Sequence, residues 1–188
     1  MNEIVREILS EVEDKMKSTL SVFEDDLNGI RGNRASPALV DRLMVEYYGQ
    51  DTELRQLANI STPEPMLLMI RPFDGSAVKA IEKAIQEANL GMNPNTDGTV
   101  IRLNMPALTR ERRQELVKVL GKRTEDARIS IRNIRRSGND DAKSWEKEKE
   151  ISEDESKGAL DSIQKLTDNY IGKIDAASKE KEVDILEV

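Results

Sequence analysis

Apolar side chains recur at spacings of three and four along the start of the chain. They form a single stripe that comprises Ile4, Ile8, Val12, Met16, Leu20, Phe23, Leu27 and Ile30. This spacing is typical of one face of an α-helix and predicts a first helix of roughly 30 residues, about 45 Å long. The run I-R-G-N-R-A-S-P at residues 30–37 then ends the helix, because it brings a glycine and a proline into the pattern.

The helical spacing returns after Pro106. Thr109 is a suitable N-cap residue, and the apolar positions that follow are Leu116, Leu120, Ala127, Ile131 and Ile134. Gly138 lies in the run S-G-N-D, which resembles a helix ending, but Ala142 and Trp145 keep the same phase beyond it. We therefore predict a continuous helix to about residue 148, in which Gly138 costs roughly 1 kcal/mol relative to alanine.

A third helix is predicted after residue 152. Ser152 and Glu155 have the spacing of a capping box, in which each side chain bonds the other residue's backbone N–H. The apolar stripe that follows comprises Leu160, Ile163, Leu166, Tyr170, Ile174 and Ala177. We expect a frayed acidic tail after it. Three long helices with one stripe each bury their apolar faces most simply in an elongated antiparallel three-helix bundle.

Residues 31–105 follow a different pattern. Short apolar or alternating runs predict strands, one run at helical spacing predicts a helix, and 93–98 is rich in turn residues. The strands are expected at 43–48, 57–61, 66–71 and 99–105, and the helix at 76–90. The predicted fold class is therefore α+β: a discontinuous bundle domain of residues 1–30 and 106–188, and a small β/α/β domain of residues 31–105 inserted into it.

The two crossings between these predicted domains are short. We expect a hinge at residues 31–37 and 105–106, and the candidate hinge residues are Arg31, Gly32, Asn33, Ser36, Pro37, Met105 and Pro106. The alternative is an ordinary rigid boundary between two domains, and the sequence leaves both open.

The amino-acid composition excludes most kinds of catalytic and metal-binding site. Aromatic residues make up 3% of the chain and charged residues 35%, which favours long helices over an aromatic-cored sheet. There is no cysteine and no histidine, so thiolate metal sites, disulfides and histidine catalysis are excluded. We expect no enzyme activity, no cofactor and no metal. Because no run of about 18 apolar residues occurs, we expect a cytoplasmic protein that does not enter a membrane.

The charges are unevenly distributed. Residues 109–136 hold ten Lys and Arg against four Asp and Glu, in a chain whose net charge is −7. On the predicted second helix, Arg128, Arg132, Arg135 and Arg136 lie on one side and could contact successive phosphates of a nucleic acid. Composition alone favours the alternative of a solvated face paired with acidic neighbours. Arg31 and Arg34 form a smaller basic site, which could instead cap the negative end of the first helix.

Several runs together resemble the ribosome recycling factor family over the whole chain. The most specific of them are RGNRASPALVD at 31–41, VEYYG at 45–49, GMNPN at 91–95, LTRERR at 108–113, RNIRR at 132–136 and IQKLTD at 163–168. None of these runs is a general nucleotide or metal motif.

The resemblance implies a monomeric L-shaped protein whose bundle and hinged domain imitate the outline of transfer RNA. It implies binding to the post-termination 70S-type ribosome and, with elongation factor G and GTP, subunit dissociation and release of messenger and transfer RNA. It also implies that Arg132 and Arg135, with Arg31 as a further candidate, contact large-subunit ribosomal RNA. The alternative function is a coiled-coil scaffold or adaptor that binds protein partners through exposed helix faces.

Overall fold

The computed structural model describes residues 2–187 of the chain. Three long helices account for more than half of them: α1 (Glu3–Asn28), α4 (Arg110–Lys147) and α5 (Glu153–Leu186). Between α1 and α4 lie the short helices α2 (Leu54–Leu57) and α3 (Val78–Glu87), six strands and two single 3-10 turns. None of the helices in residues 2–187 is long and apolar enough to cross a membrane. The predicted α+β class, with a helical bundle and a β-containing unit, is confirmed.

The predicted caps and the continuity of α4 are confirmed. Thr109 accepts a hydrogen bond from the Arg112 N–H at 3.2 Å, as an N-cap residue does. The Ser152 N–H donates to Glu155 Oε2 at 2.9 Å, and the Glu155 N–H donates to Ser152 Oγ at 3.2 Å, which completes the capping box. The helix α4 runs through Gly138 without interruption.

Contacts between side chains give the helix directions in the bundle. Along α4 and α5, Thr124 bonds Ser178 at 2.8 Å, whereas Arg135 further along α4 bonds the earlier Gln164 at 3.3 Å. These two helices are therefore antiparallel. The helices α1 and α4 are also antiparallel, because Asp26 pairs with Arg123 at 3.5 Å, whereas Val12, earlier in α1, lies beside Gly138, later in α4.

The remaining part of the structure is built on two antiparallel sheets. Strands β3 (Ala58–Glu64), β4 (Leu67–Pro72), β5 (Pro94–Asp97) and β6 (Val100–Asn104) form one sheet in the order β3-β4-β6-β5. Strands β1 (Met44–Tyr47) and β2 (Gln50–Glu53) form a separate hairpin. The inward side chains of these strands pack with α2 and α3 in one core. Its fully buried members are Val45, Leu68, Ile70, Ile101 and Leu103 of the strands, Leu54 of α2, and Ile81 and Ile85 of α3.

The chain divides by its contacts into two compact units. Unit 1 is the chain up to Leu27 together with Val117–Val183, and unit 2 is Asn28–Leu116 together with the residues from Asp184 onward. The predicted domain limits at residues 30 and 106 stay a prediction.

Three expectations from the sequence are wrong. The segment 93–98 is not only a turn, because β5 occupies Pro94–Asp97, and Leu57 belongs to α2 and not to a strand. No frayed tail follows Ala177: α5 continues to Leu186, and Ile185 is fully buried.

Candidate nucleic-acid interface

The four candidate arginines of α4 all belong to unit 1 and lie within nine residues of one another along that helix. They differ in what surrounds their guanidinium groups. Arg128, Arg132 and Arg135 are half-buried, and Arg136 is exposed. Their partners divide them into a charge-balanced group and a group that keeps its positive charge.

Arg128 is held by two carboxylates. Its Nη2 lies 2.7 Å from Asp175 Oδ1 on α5, and its Nη1 lies 3.1 Å from Glu125 Oε2, one turn earlier on α4. The hydrogen bonds to Asp175 and then to Glu125 raise the pKa of Arg128 above its ordinary value. This side chain joins α4 to α5, and its charge is already balanced.

Arg132 shares one of those carboxylates. Its Nη1 donates to Glu125 Oε1 at 3.0 Å. Hydrogen bonds from Arg128 and then from Arg132 lower the pKa of Glu125, so this carboxylate is ionised at neutral pH. One negative charge therefore serves two arginines, and Arg132 is only partly neutralised.

Arg135 and Arg136 have neutral partners. Arg135 Nη1 donates to Gln164 Oε1 at 3.3 Å, and Arg136 Nη2 donates to Asn133 Oδ1. In the part of the chain that the structure describes, neither guanidinium is within salt-bridge distance of a carboxylate. An amide oxygen orients a guanidinium without cancelling its charge, so these two groups remain able to bind a phosphate.

The two other candidate arginines, Arg31 and Arg34, belong to unit 2. Arg31 donates to the backbone oxygen of Pro106, and its Nε is buried without a hydrogen-bond partner. Burial, followed by the nearby charges of Arg112 and Arg113, lowers the pKa of Arg31. Part of its hydrogen-bonding capacity thus goes to the protein itself, whereas Arg34 is exposed.

The candidate hinge residues make several contacts inside unit 2. Ser36 accepts a hydrogen bond from the Ala38 N–H at 3.3 Å and caps the 3-10 turn that Pro37 begins. Met105 is buried, and its N–H donates to the Met66 oxygen at 2.8 Å. A Cβ at Gly32 would collide with Asp184 Oδ2, so any larger residue there requires the Asp184 side chain to move. Asn33 is half-buried. Whether these segments bend stays a prediction.

The sequence analysis did not identify Glu125 and Asp175, the carboxylates that pair with Arg128 and, in the case of Glu125, also with Arg132. Glu125 lies three residues before Arg128 and seven before Arg132, a spacing that places all three on one helix face. That signal was available from the sequence. Asp175 comes from α5, and only the register between the two helices brings it to Arg128.

Comparisons with known proteins agree with one another over almost the whole chain. The family model described as ribosome recycling factor matches residues 23–186. The ribosome-recycling factor of Syntrophomonas wolfei is 52% identical over 185 residues, which cover 98% of this chain and 100% of that protein. The ribosome-recycling factor of Bacillus subtilis is 46% identical over 183 residues, which cover 97% and 99%.

Solved structures are similar as well. A solution structure of ribosome recycling factor matches with a TM-score of 0.78 and 44% identity, covering 100% of both chains. The T. thermophilus ribosome recycling factor, in a structure with E. coli elongation factor G and the E. coli post-termination complex, matches with a TM-score of 0.68 and 43% identity, covering 99% of this chain and 100% of that one. Sequence and structure thus agree that this chain belongs to the ribosome recycling factor family.

Proposed function

We propose that this protein recycles ribosomes. It binds the post-termination ribosome in the cytoplasm and, together with elongation factor G and GTP, promotes dissociation of the subunits and release of messenger and transfer RNA. It acts as a binding factor and not as an enzyme, since the GTP hydrolysis belongs to its partner. The support for this proposal is the full-length similarity to the T. thermophilus factor whose structure includes elongation factor G and the post-termination complex.

The α4 arginines are the proposed contact to large-subunit ribosomal RNA. The observation that carries this assignment is the set of partners around them: Arg135 and Arg136 bond neutral amides, and Arg132 shares one carboxylate with Arg128. Positive groups without a matching carboxylate bind phosphate without first breaking an ion pair. Arg31 and Arg34 are secondary candidates, because Arg31 is partly engaged by Pro106.

The hinge is part of the same proposal. If the arginines fix the bundle to RNA while the partner GTPase moves the rest of the protein, the segments 31–37 and 105–106 must bend. Distances between spin labels on Ser18 and Ser61 would be compared in the free and ribosome-bound protein. A changed distance distribution supports the hinge, and identical distributions contradict it.

The test is ribosome splitting followed by sedimentation. Post-termination ribosomes are incubated with elongation factor G, GTP and either the parent or the Arg132→Ala, Arg135→Ala variant. The matched control is Lys83→Ala, Arg123→Ala, which removes the same charge from two exposed side chains that pair with Glu87 and Asp26. Circular dichroism first establishes that all three proteins are equally helical.

The parent and the control should split ribosomes at similar rates, and the arginine variant at a rate lower by roughly tenfold for each arginine removed. Equal splitting by the arginine variant would remove these residues from the interface. An absence of splitting by every protein, with a cognate elongation factor present, would instead favour the adaptor function.

A further inference from the structure

Tyr48 occupies a backbone conformation that tyrosine rarely adopts. The strands β1 and β2 pair Tyr47 with Gln50, so only Tyr48 and Gly49 form the loop of the hairpin. Their φ angles are 49° and 76°. Two-residue loops with positive φ at both positions are normally Asn-Gly, Asp-Gly or Gly-Gly, because a bulky side chain is strained there. The strain therefore needs a reason other than the turn itself.

Burial of the ring is not that reason. Tyr48 is 80% exposed, and Phe73, the residue before Asp74, is 72% exposed. Tyrosine is enriched at protein interfaces, because its ring is apolar and its hydroxyl can hydrogen-bond. A strained residue that displays its ring to solvent is a candidate for binding, because strain is commonly retained at functional positions.

The exposed ring is held in place by its neighbours. The Tyr47 and Tyr48 ring centroids are 4.5 Å apart, at an interplanar angle of 72°. The Tyr47 hydroxyl donates to Asp74 Oδ2 at 2.7 Å, and the Tyr48 hydroxyl lies 3.5 Å from Ser76 Oγ. Asp74 also accepts from the backbone N–H and the hydroxyl of Ser76. The rings are thus pre-organised around one carboxylate.

The β1–β2 hairpin that carries both tyrosines is negatively charged. Residues 41–53 contain four acidic side chains and the single basic residue Arg42, and Asp74 adds a further carboxylate. The next basic residue, Arg55, pairs with Glu53 at 2.5 Å. A hairpin of this charge disfavours the phosphates of a nucleic acid. The hairpin attracts a cation. Among cationic side chains, the arginine guanidinium fits this surface best, since it stacks on aromatic rings and bonds carboxylates.

We infer that the aromatic tip, defined as Tyr47, Tyr48, Phe73 and Asp74, docks a positively charged protein segment that presents arginine. The guanidinium would stack on a tyrosine ring and bond the Asp74 carboxylate. The aromatic tip belongs to unit 2 and would bind a cation, whereas the α4 arginines belong to unit 1 and would bind the anionic phosphates of RNA. The inference therefore stands or fails independently of the proposed function.

The test is an NMR titration of the full chain. The protein has three tyrosines and two phenylalanines, so its aromatic spectrum is sparse, and the buried Tyr170 and Phe23 serve as internal controls. The probes are a blocked pentapeptide Gly-Arg-Gly-Arg-Gly, the same peptide with glutamate for arginine, and a single-stranded RNA hexamer. The arginine peptide should shift the Tyr47, Tyr48 and Phe73 resonances with a dissociation constant of about 1 mM.

Two variants separate binding from folding. Tyr48→Asn places the preferred residue in the turn, so the melting temperature should stay the same or rise. The affinity for the arginine peptide should fall by about tenfold, because the aromatic ring is lost. Asp74→Asn should lower the affinity for the arginine peptide by roughly fivefold, since it removes the negative charge that bonds the guanidinium. The inference would be overturned if the RNA hexamer changed the chemical shifts of the aromatic tip at the same concentration as the arginine peptide or a lower one. So would the absence of a shift with the arginine peptide at about ten times its expected dissociation constant.

Discussion

Gly138 of α4 lies directly against Val12 of α1. A Cβ added to Gly138 would stand 2.5 Å from Val12 Cγ2 and 3.3 Å from Ile163 Cδ1 of α5. Three helices of unit 1 therefore meet at one residue that has no side chain. The glycine lowers the helix propensity of α4, but it allows the three helices to approach closely.

We predict that Gly138→Ala destabilises the protein. Alanine favours the helix by roughly 1 kcal/mol, whereas overpacking a close helix contact costs about 1–3 kcal/mol. The net loss should be about 1 kcal/mol, measured as the free energy of unfolding in urea.

The double variant Gly138→Ala, Val12→Ala provides the control. Removing Val12 Cγ2 makes room for the new methyl group, so the two changes should be less damaging together than their separate effects predict. A single Gly138→Ala variant more stable than the parent would contradict the close contact.

The long helices could be predicted from the sequence, because apolar spacing and caps are local signals. The stripe on α1, the N-cap at Thr109 and the capping box at Ser152 all depend on residues close together in the chain. Continuity through Gly138 was also predicted from phase, although the contact with Val12 that explains the glycine was not.

The errors come from elements whose stability depends on distant partners. The sequences of β2 (QDTE) and β5 (PNTD) are polar, and they form strands only because β1 and β6 pair with them. The end of α5 looks like a polar tail, yet Arg113 donates to the Ile185 oxygen at 2.8 Å and Ile185 is buried. Likewise, the balance of charge on Arg128 depends on Asp175 of another helix.

Lys149, two residues after the end of α4, has a left-handed backbone conformation that favours glycine. Its φ is 63°, and the next residue, Glu150, donates its N–H to the Trp145 oxygen at 3.0 Å, as in a Schellman motif. We predict that Lys149→Gly stabilises the protein by about 0.5–1 kcal/mol, because it relieves the left-handed strain. Thermal unfolding measures the effect.

The matched control at this position is Lys149→Ala. It removes the same charge and side chain but keeps the Cβ, so it should give no gain. Equal stabilisation by alanine and glycine would show that removal of the lysine charge, and not the backbone conformation, is responsible.

Asp74 should titrate at unusually low pH. Hydrogen bonds from Tyr47 and then from Ser76 lower the pKa of Asp74 to about 2. Because the folded-state pKa lies below the unfolded value of 3.8, the carboxylate contributes stability above that value and loses it as the pH falls toward about 2. The chemical shift of the Asp74 carboxyl carbon reports the titration.

Tyr47→Phe removes the largest cause of this shift. The variant should raise the pKa of Asp74 toward its ordinary value while Ser76 continues to hold it partly down. An unchanged pKa in the variant would mean that the Tyr47 hydroxyl does not bond the carboxylate in solution.

The central claim, that the α4 arginines bind ribosomal RNA, is tested most directly by the salt dependence of ribosome binding. Removing one arginine–phosphate pair should reduce the slope of log K against log salt concentration by about 0.7–0.9. Arg135→Gln, Arg136→Gln should therefore lower the slope by roughly twice that amount, whereas Arg123→Gln should leave it unchanged because that side chain already pairs with Asp26. Equal slopes for the parent and the Arg135→Gln, Arg136→Gln variant would contradict the claim.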